Sequence, residues 1–222
     1  MAALSVEAVR RNLAAARERV ERAAQRAGRD PAGVEILVAV KYVGARDIET
    51  LADAGVTLVG ENRAQDLLEK VARAPGRLRW HFIGALQSRK VRQIVPHVEL
   101  IHSVASDSVL RELGRHAPPG FEILVEVNVA GEAGKAGIDP RELDAFIARA
   151  PVAVVGLMTM PPLAADPLAS RPHFAALARL AAERGLPQLS MGTSQDFEVA
   201  VEEGATIVRI GTIILGDRDT VR

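Results

Sequence analysis

The beginning of the chain carries apolar side chains at helical spacing. They recur every three or four positions, at Val6, Val9, Leu13, Ala16 and Val20. Charged residues fill most of the positions between them, so a helix would carry one apolar stripe. We therefore predict a helix over residues 5–28, ended by Gly28, because glycine commonly follows the last turn of a helix.

After this helix, short apolar runs alternate with amphipathic stretches. The apolar runs, which we predict to be strands, lie at 34–40, 57–61, 79–84, 99–104, 122–129, 152–158, 188–191 and 206–210. The stretches between them, which we predict to be helices, lie near 46–54, 63–73, 87–96, 106–116, 140–150, 171–184 and 196–203. Short runs without alternating polar positions are typical of strands that are buried on both faces of a parallel sheet.

Eight strands separated by helices predict a single (β/α)8 TIM-type barrel with an extra N-terminal helix, forming one domain over residues 1–222. A doubly wound open sheet is the alternative. It is less favoured because no Gly-x-Gly-x-x-Gly follows the first strand, and eight units exceed what that fold needs. The Pro/Ala-rich stretch 161–169 is too short to divide the chain into domains.

Composition narrows the classes of ligand. The chain has no cysteine, which excludes disulfides and thiolate metal sites and favours a reducing cytoplasm. Lys+Arg and Asp+Glu balance at 28 each and aromatic residues are 3%, so neither a basic field nor stacking platforms indicate nucleic acid. No apolar stretch reaches the roughly 18 residues that span a bilayer. We expect a cytoplasmic protein with a small-molecule ligand and no resident metal, and nothing in the sequence demands more than a monomer.

Lys41 is the most informative single residue, because it follows the apolar run 36–40 at the end of the first predicted strand. Active sites of α/β proteins lie at the carboxyl ends of strands. The chain has only four lysines against 24 arginines, and lysine differs from arginine in that its amine can lose a proton and attack a carbonyl. A lysine that simply extends into solvent is the alternative. Desolvation at the strand end, or nearby Arg209, would favour the neutral nucleophile.

Two glycine-containing turns follow the last two predicted strands. They are Gly192-Thr-Ser194 and Gly211-Thr212, at the barrel position where phosphate commonly binds. Glycine lets the main chain approach an anion closely, and hydroxyl groups donate to it. The alternative for Gly192-Thr-Ser194 is a turn that is capped by Asp196. Strand eight neighbours strand one in a closed barrel, so an amine and a phosphate site would face one cavity. This pairing suits pyridoxal phosphate, or sugar phosphates handled by Schiff-base aldolases.

Arg209 is a charge inside the last predicted strand, where it needs a partner or a polar cavity. One interpretation is a buried ion pair, with Glu61 as a candidate partner. The other is a hydrogen bond to a pyridine nitrogen, as in pyridoxal enzymes. Asn62 and His81 are weaker candidates for the mouth of the barrel, as are Ser103 and Asn128.

Several segments together resemble the pyridoxal phosphate homeostasis protein family, small single-domain relatives of the alanine racemase barrel. The matching segments, in family order from about residue 5 to 217, are Leu37-Val-Ala-Val-Lys41, Val59-Gly-Glu-Asn62, Trp80-His-Phe-Ile-Gly84, Leu86-Gln-Ser-Arg-Lys90, Lys135-Ala-Gly137, Gly156-Leu-Met158, Leu189-Ser-Met-Gly-Thr-Ser194 and Val208-Arg-Ile-Gly-Thr212. Gly-Glu-Asn together with His-Phe-Ile-Gly-x-Leu-Gln is highly specific, whereas the glycine turns alone are not.

The resemblance implies a fold-type-III site for pyridoxal 5′-phosphate (PLP), with the cofactor held as a covalent aldimine on Lys41. The remaining cofactor-binding residues that it implies are Asn62 and His81 near the ring, Arg209 at the pyridine nitrogen, Ser194, Gly211 and Thr212 at the phosphate, and Ser190 and Gly192 in the strand-seven motif. Val40 and Thr193 depart from the family pattern. The first removes a hydroxyl before the lysine, and the second makes the middle phosphate contact less certain, although Thr193 could add a donor.

The resemblance implies a carrier that holds PLP in cellular homeostasis and supplies apo-enzymes, rather than a catalyst. An amino-acid racemase is the competing function, and a Schiff-base aldolase is a third. Two-base racemisation needs a proton-transfer group on each face of the substrate, and in two-domain racemases the second is a tyrosine from an added domain. The only tyrosine here, Tyr42, follows Lys41 and is expected to point the other way. Without a second domain, we expect the mouth of the barrel to be open.

Overall fold

The eight predicted strands close into a parallel barrel in the order β1 to β8, with β8 paired to β1. The computed structural model describes residues 4–216. The strands are β1 (Glu35–Ala39), β2 (Leu58–Glu61), β3 (Arg79–Phe82), β4 (Leu100–Val104), β5 (Glu122–Glu126), β6 (Ala153–Met158), β7 (Gln188–Thr193) and β8 (Ile207–Ile210). The predicted TIM-type barrel is therefore confirmed, and the open-sheet alternative is wrong.

Helices follow the strands around the outside of the barrel. They are α1 (Val6–Arg26), which precedes β1, then α2 (Ile48–Asp53), α3 (Ala64–Arg73), α4 (Val91–Ile94), α5 (Asp107–His116), α6 (Leu143–Ala148), α7 (Arg171–Ala182), α8 (Phe197–Glu202) and α9 (Thr212–Leu215). Within residues 4–216, no helix combines the length and apolar character that crossing a bilayer requires.

The extra N-terminal helix is confirmed, and its apolar stripe covers the last strand–helix unit of the barrel. The Ser5 hydroxyl caps α1 by accepting the N–H of Ala8 at 3.3 Å. The side chain of Arg19 donates to Glu198 of α8 at 2.7 Å, and Asn12 donates to the Ile214 carbonyl of α9 at 3.1 Å. These contacts hold α1 across α8 and α9.

The interior of the barrel consists of an apolar layer and a polar layer. The apolar layer contains Leu37, Leu58, Leu100, Leu124, Met158 and Ile207, each from a different strand. Inward-facing residues of a strand are two positions apart, and the next such positions on β4, β5 and β8 carry His102, Glu126 and Arg209. These groups are buried, and they lie nearer the carboxyl ends of the strands, where the sequence places the candidate site.

The structure departs most from the predicted helices in two places. The stretch 87–96 is a short α4 between two 3-10 turns, because Pro96 has no N–H to continue an α-helix. The last helix, α9, was not predicted, since four residues are too few for a periodic pattern to show. Residues 1–3 and 217–222 of the predicted domain lie outside the described residues.

Candidate functional site

Lys41 lies in a turn at the mouth of the barrel, just beyond β1. The N–H of Val43 donates to the Val40 carbonyl at 2.9 Å, which closes a turn with Lys41 and Tyr42 at its centre. Lys41 is exposed, so the desolvation that we expected at this residue is wrong. Because β1 ends at Ala39, Lys41 lies beyond the strand and beyond the strands that flank it.

Tyr42 does not point away from Lys41 as we expected. The ammonium nitrogen of Lys41 lies 4.7 Å from the centre of the Tyr42 ring, which is within the range of a cation–π contact. The expectation assumed an extended strand, in which consecutive side chains alternate, whereas a turn brings them to one side. The ring is 43% exposed, so this contact lies at the surface of the mouth.

Asn62 lies directly after β2, and its side chain has an unusual environment. Its Oδ1 atom is buried and, within residues 4–216, accepts no hydrogen bond. Its own N–H donates to Oε1 of Glu61 at 2.6 Å. Gly84 approaches its main chain so closely that an added Cβ would lie 2.1 Å from the Asn62 carbonyl oxygen. Since buried acceptors are seldom left without a donor, Asn62 Oδ1 is a candidate group for binding a ligand.

A chain of hydrogen bonds crosses the polar layer of the barrel from β3 to β8. Nδ1 of His81 lies 2.9 Å from Nε2 of His102, and Nδ1 of His102 lies 2.8 Å from the Ser190 hydroxyl. Arg209 donates to that same hydroxyl at 2.6 Å. Four strands thus share one hydrogen-bonded chain, which we call the interior relay: His81, His102, Ser190 and Arg209.

Arg209 is held by main-chain and side-chain acceptors, and Glu61 is not its partner. Besides Ser190, its guanidinium donates to the Thr159 carbonyl at 2.9 Å and contacts the Met160 sulfur at 2.8 Å. Glu61 instead forms a buried ion pair with Lys70 of α3. Alternation along β2 turns Glu61 toward the helices, whereas Arg209 faces the interior, so the candidate pair is wrong.

The other weaker candidates are tied into the main chain. The Ser103 hydroxyl donates to the Gly84 carbonyl. The amide of Asn128 donates to the Glu132 carbonyl at 2.9 Å and accepts the Glu132 N–H at 3.2 Å. Both side chains therefore shape loops at the mouth. His102 was missed as a candidate, although a histidine inside the apolar run of β4 was the signal that could have found it.

Burial sets the charge states within the polar layer. It lowers the pKa of Arg209 to about 10, an effect that Glu126 and Asp196 oppose, so Arg209 stays cationic at neutral pH. Burial raises the pKa of Glu126, and nearby Arg209 lowers it. Burial lowers the pKa of His81 to about 3, with a smaller effect of Arg79. The pKa of His102 is lowered by burial and then by His81 and Arg209. Both histidines are therefore neutral, and Arg209 supplies the positive charge of the relay.

The two predicted phosphate turns lie side by side. The N–H of Gly211 donates to the Ser194 hydroxyl at 3.1 Å, which brings together the loops after β7 and β8. Gly192 has a φ of +88°, and an added Cβ would lie 2.5 Å from that of Ala200. Only glycine therefore fits at this position near the end of β7. Ser194 and Gly211 therefore meet at one place on the mouth of the barrel, with Thr212 next to them in the chain.

Thr193 is not available as the extra donor that we expected. Its N–H and its hydroxyl both donate to Oδ1 of Asp196, at 2.7 and 3.2 Å. The other oxygen of Asp196 accepts from the Ser170 hydroxyl at 2.8 Å. For this residue the capped-turn alternative is correct.

The two buried histidines predict that the protein loses stability in mild acid. A histidine of the unfolded chain titrates near pH 6.5, well above the folded-state pKa of His81, which is about 3. Below about pH 6.5 the unfolded state binds protons that the folded state does not bind. The contribution is therefore complete above about pH 6.5 and is lost as the pH falls, by about 2 kcal/mol for His81 at about pH 5.

Urea unfolding of wild type and His81→Gln between about pH 7 and pH 5 tests this linkage. Glu126 has the opposite effect, because a raised pKa makes the folded state gain stability as the pH falls. This effect is present in both proteins and cancels in the comparison. The variant should lose less stability on acidification than wild type. Equal losses in the two proteins would show that His81 does not contribute.

A family model described as the alanine racemase N-terminal domain matches residues 11–219. A pyridoxal phosphate homeostasis protein of Aquifex aeolicus is 42% identical over 215 residues, covering 90% of this chain and 94% of the relative.

Two solved structures show the same architecture at similar length. An unknown protein from Bifidobacterium adolescentis has a TM-score of 0.85 and 30% identity, covering 94% of this chain and 95% of that one. PipY of Synechococcus elongatus with PLP bound has a TM-score of 0.73 and 32% identity, covering 89% of this chain and 100% of that one. Since both the family model and the relatives match nearly end to end, the chain belongs to the alanine racemase N-terminal domain family and, within it, to the pyridoxal phosphate homeostasis proteins.

Proposed function

We propose that this protein binds PLP at the mouth of the barrel as a Schiff base on Lys41 and serves as a non-catalytic carrier in intracellular PLP homeostasis. The observation that carries the proposal is the exposed Lys41 beside a barrel interior that is polar and cationic at Arg209. PipY, which this chain matches over the whole PipY chain, has been solved with PLP bound. The Aquifex relative bears the name of this function.

The residues around the mouth fit the groups of PLP. The hydroxyl groups of Ser194 and Thr212 would donate to the phosphate, while Gly211, whose N–H donates to Ser194, brings the two loops together, and Gly192 lets the end of β7 pack closely against α8. Arg209 would face the pyridine nitrogen. Because Arg209 is a donor that stays charged at neutral pH, it would keep that nitrogen unprotonated and the ring a weak electron sink.

The remaining residues would support and orient the ring. The unpaired Oδ1 of Asn62 can accept from a hydroxyl substituent of the ring. Ser190 holds Arg209 in place, and His81 closes the far end of the interior relay beneath the mouth. Bound PLP would supply an aldehyde that reacts reversibly with amines.

The covalent step is a condensation that water can reverse. The neutral amine of Lys41 would add to the aldehyde carbon, and loss of one water would replace the C=O bond by C=N. Solvent takes up the proton that the ammonium must first release. Because Lys41 is exposed, water can return to hydrolyse the bond. Reversible loading is what a carrier needs, whereas an enzyme encloses its reacting groups.

The wider biological setting belongs to the same proposal. We infer a monomeric, single-domain protein over residues 1–222 in the cytoplasm, which passes PLP to apo-enzymes. Support comes from the closed barrel with its own core and from the absence of cysteine in the sequence.

The decisive functional test follows PLP into the protein and out of it. Wild type should develop a visible absorption band with PLP and then restore the activity of a PLP-depleted enzyme, whereas Lys41→Ala should show no such band. Proton NMR in deuterated water should show no exchange of the Cα hydrogen of added amino acids. Rapid exchange would favour the racemase alternative, and retention of PLP without transfer over hours would contradict the carrier function.

A further inference from the structure

A buried ion pair lies on the outer side of the barrel wall, behind the loops that carry Lys41 and Asn62. Glu61 ends β2 and Lys70 belongs to α3, and their side chains are 0% and 4% exposed. The ammonium of Lys70 donates to the Glu61 carboxylate. Charged side chains are seldom enclosed so completely, so this pair needs an explanation.

Both members of the pair also bond to the main chain of those two loops. Lys70 donates to the carbonyl of Val40, the residue before Lys41, at 2.9 Å. Oε1 of Glu61 accepts the N–H of Asn62 at 2.6 Å and that of Arg63 at 3.2 Å. The pair therefore ties the start of the β1–α2 loop to the start of the β2–α3 loop.

Stability alone does not explain why charges are used at this place. A buried ion pair is often no more stabilising than apolar side chains of the same volume. Charge-assisted hydrogen bonds are short and directional, so they define geometry well. Lysine suits this role because its compact ammonium can donate to a carboxylate and a carbonyl at once, whereas arginine presents a planar fork.

We propose that Glu61 and Lys70 are positioning residues, which set the main chain from which Lys41 and Asn62 reach PLP. The inference rests on the proposed function. Lys41 itself is exposed and lies in a short turn, so its reach depends on where the Val40 carbonyl is held. Small displacements of a nucleophile slow its reaction much more than they weaken ligand binding.

The double variant Glu61→Gln/Lys70→Met tests this role without leaving a charge buried alone. The amide oxygen at position 61 can still accept from Asn62 and Arg63, whereas the Val40 carbonyl loses the Lys70 ammonium and keeps only the Val43 N–H as a donor. Stopped-flow absorption with PLP gives the rate of Schiff-base formation. Titration with pyridoxine 5′-phosphate, which has no aldehyde, gives the affinity of the site without the covalent step. Phe146→Leu, a buried change in α6 on the opposite side of the barrel, is the matched control for general loss of packing.

We expect Schiff-base formation in the double variant to be slower by about tenfold or more, with pyridoxine phosphate affinity within about twofold of wild type. Phe146→Leu should react at the wild-type rate. An unchanged rate in the double variant, or an equal loss of affinity for pyridoxine phosphate, would overturn the positioning role while leaving the proposed function intact. Failure of wild type itself to react with PLP would instead overturn the proposed function, and the inference with it.

Discussion

Replacing Lys70 by methionine alone is expected to lower the free energy of unfolding by about 3–5 kcal/mol. Methionine resembles the lysine stem in length and volume but carries no charge. Glu61, at 0% exposure, would remain as a buried carboxylate without its counter-ion. Urea unfolding followed by the fluorescence of Trp80 measures the loss, because this single tryptophan lies on β3, next to β2.

Two variants control the interpretation of this loss. Glu61→Gln/Lys70→Met should recover most of the stability, since no charge is then left without a partner. Arg77→Met breaks the pair with Asp53, whose members are 45% and 52% exposed, and should cost less than about 1 kcal/mol. If Lys70→Met lowered the free energy of unfolding no more than Arg77→Met does, the buried ion pair would contribute no more to stability than the exposed pair.

Gly84→Ala is expected to destabilise the protein by about 2–3 kcal/mol and to weaken PLP binding. An added methyl group would lie 2.1 Å from the carbonyl oxygen of Asn62 and 2.5 Å from its Cα. These are main-chain atoms, which cannot rotate away as the end of a side chain can. The strain must therefore displace Asn62 from the mouth, and urea unfolding together with PLP titration measures both effects.

Gly33→Ala provides the matched control for this substitution. Nothing lies within 4 Å of an added methyl group there, and the backbone does not have a positive φ. Its stability should stay within about 0.5 kcal/mol of wild type. If the Gly84→Ala protein were as stable as the Gly33→Ala protein, the prediction would be wrong. The end of β3 could then move away from the β2–α3 turn without loss of stability.

The barrel could be predicted because its strands are buried on both faces. The run 34–40 predicted β1, which the structure places at Glu35–Ala39, and the other seven strands lie at their predicted places, the largest difference being β5, which was predicted over 122–129 and ends at Glu126. Apolar runs of this length leave few alternatives when helices separate them. Ser194 and Gly211 also came together as predicted, because the loops after neighbouring strands must meet once the barrel closes.

The partners of the polar residues could not be predicted in the same way. Whether Glu61 faces Arg209 or α3 depends on the side of the wall to which it turns, and a slip of one position reverses that side. The contact between His102 and Ser190 joins residues that are 88 positions apart. In the sequence, Lys70 cannot be distinguished from the other polar residues of α3. Such pairings depend on how the barrel closes, and the pattern of apolar positions along the chain does not predict them.

The scarcity of lysine allows the proposed attachment of the cofactor to Lys41 to be tested directly. The chain has four lysines, at positions 41, 70, 90 and 135. Borohydride reduction of the PLP-loaded protein fixes the cofactor to whichever amine holds it, and peptide mass mapping then locates the label. We predict a label on Lys41 and none on Lys70, whose side chain is buried. A label on Lys90 or Lys135, with Lys41 unmodified, would contradict it.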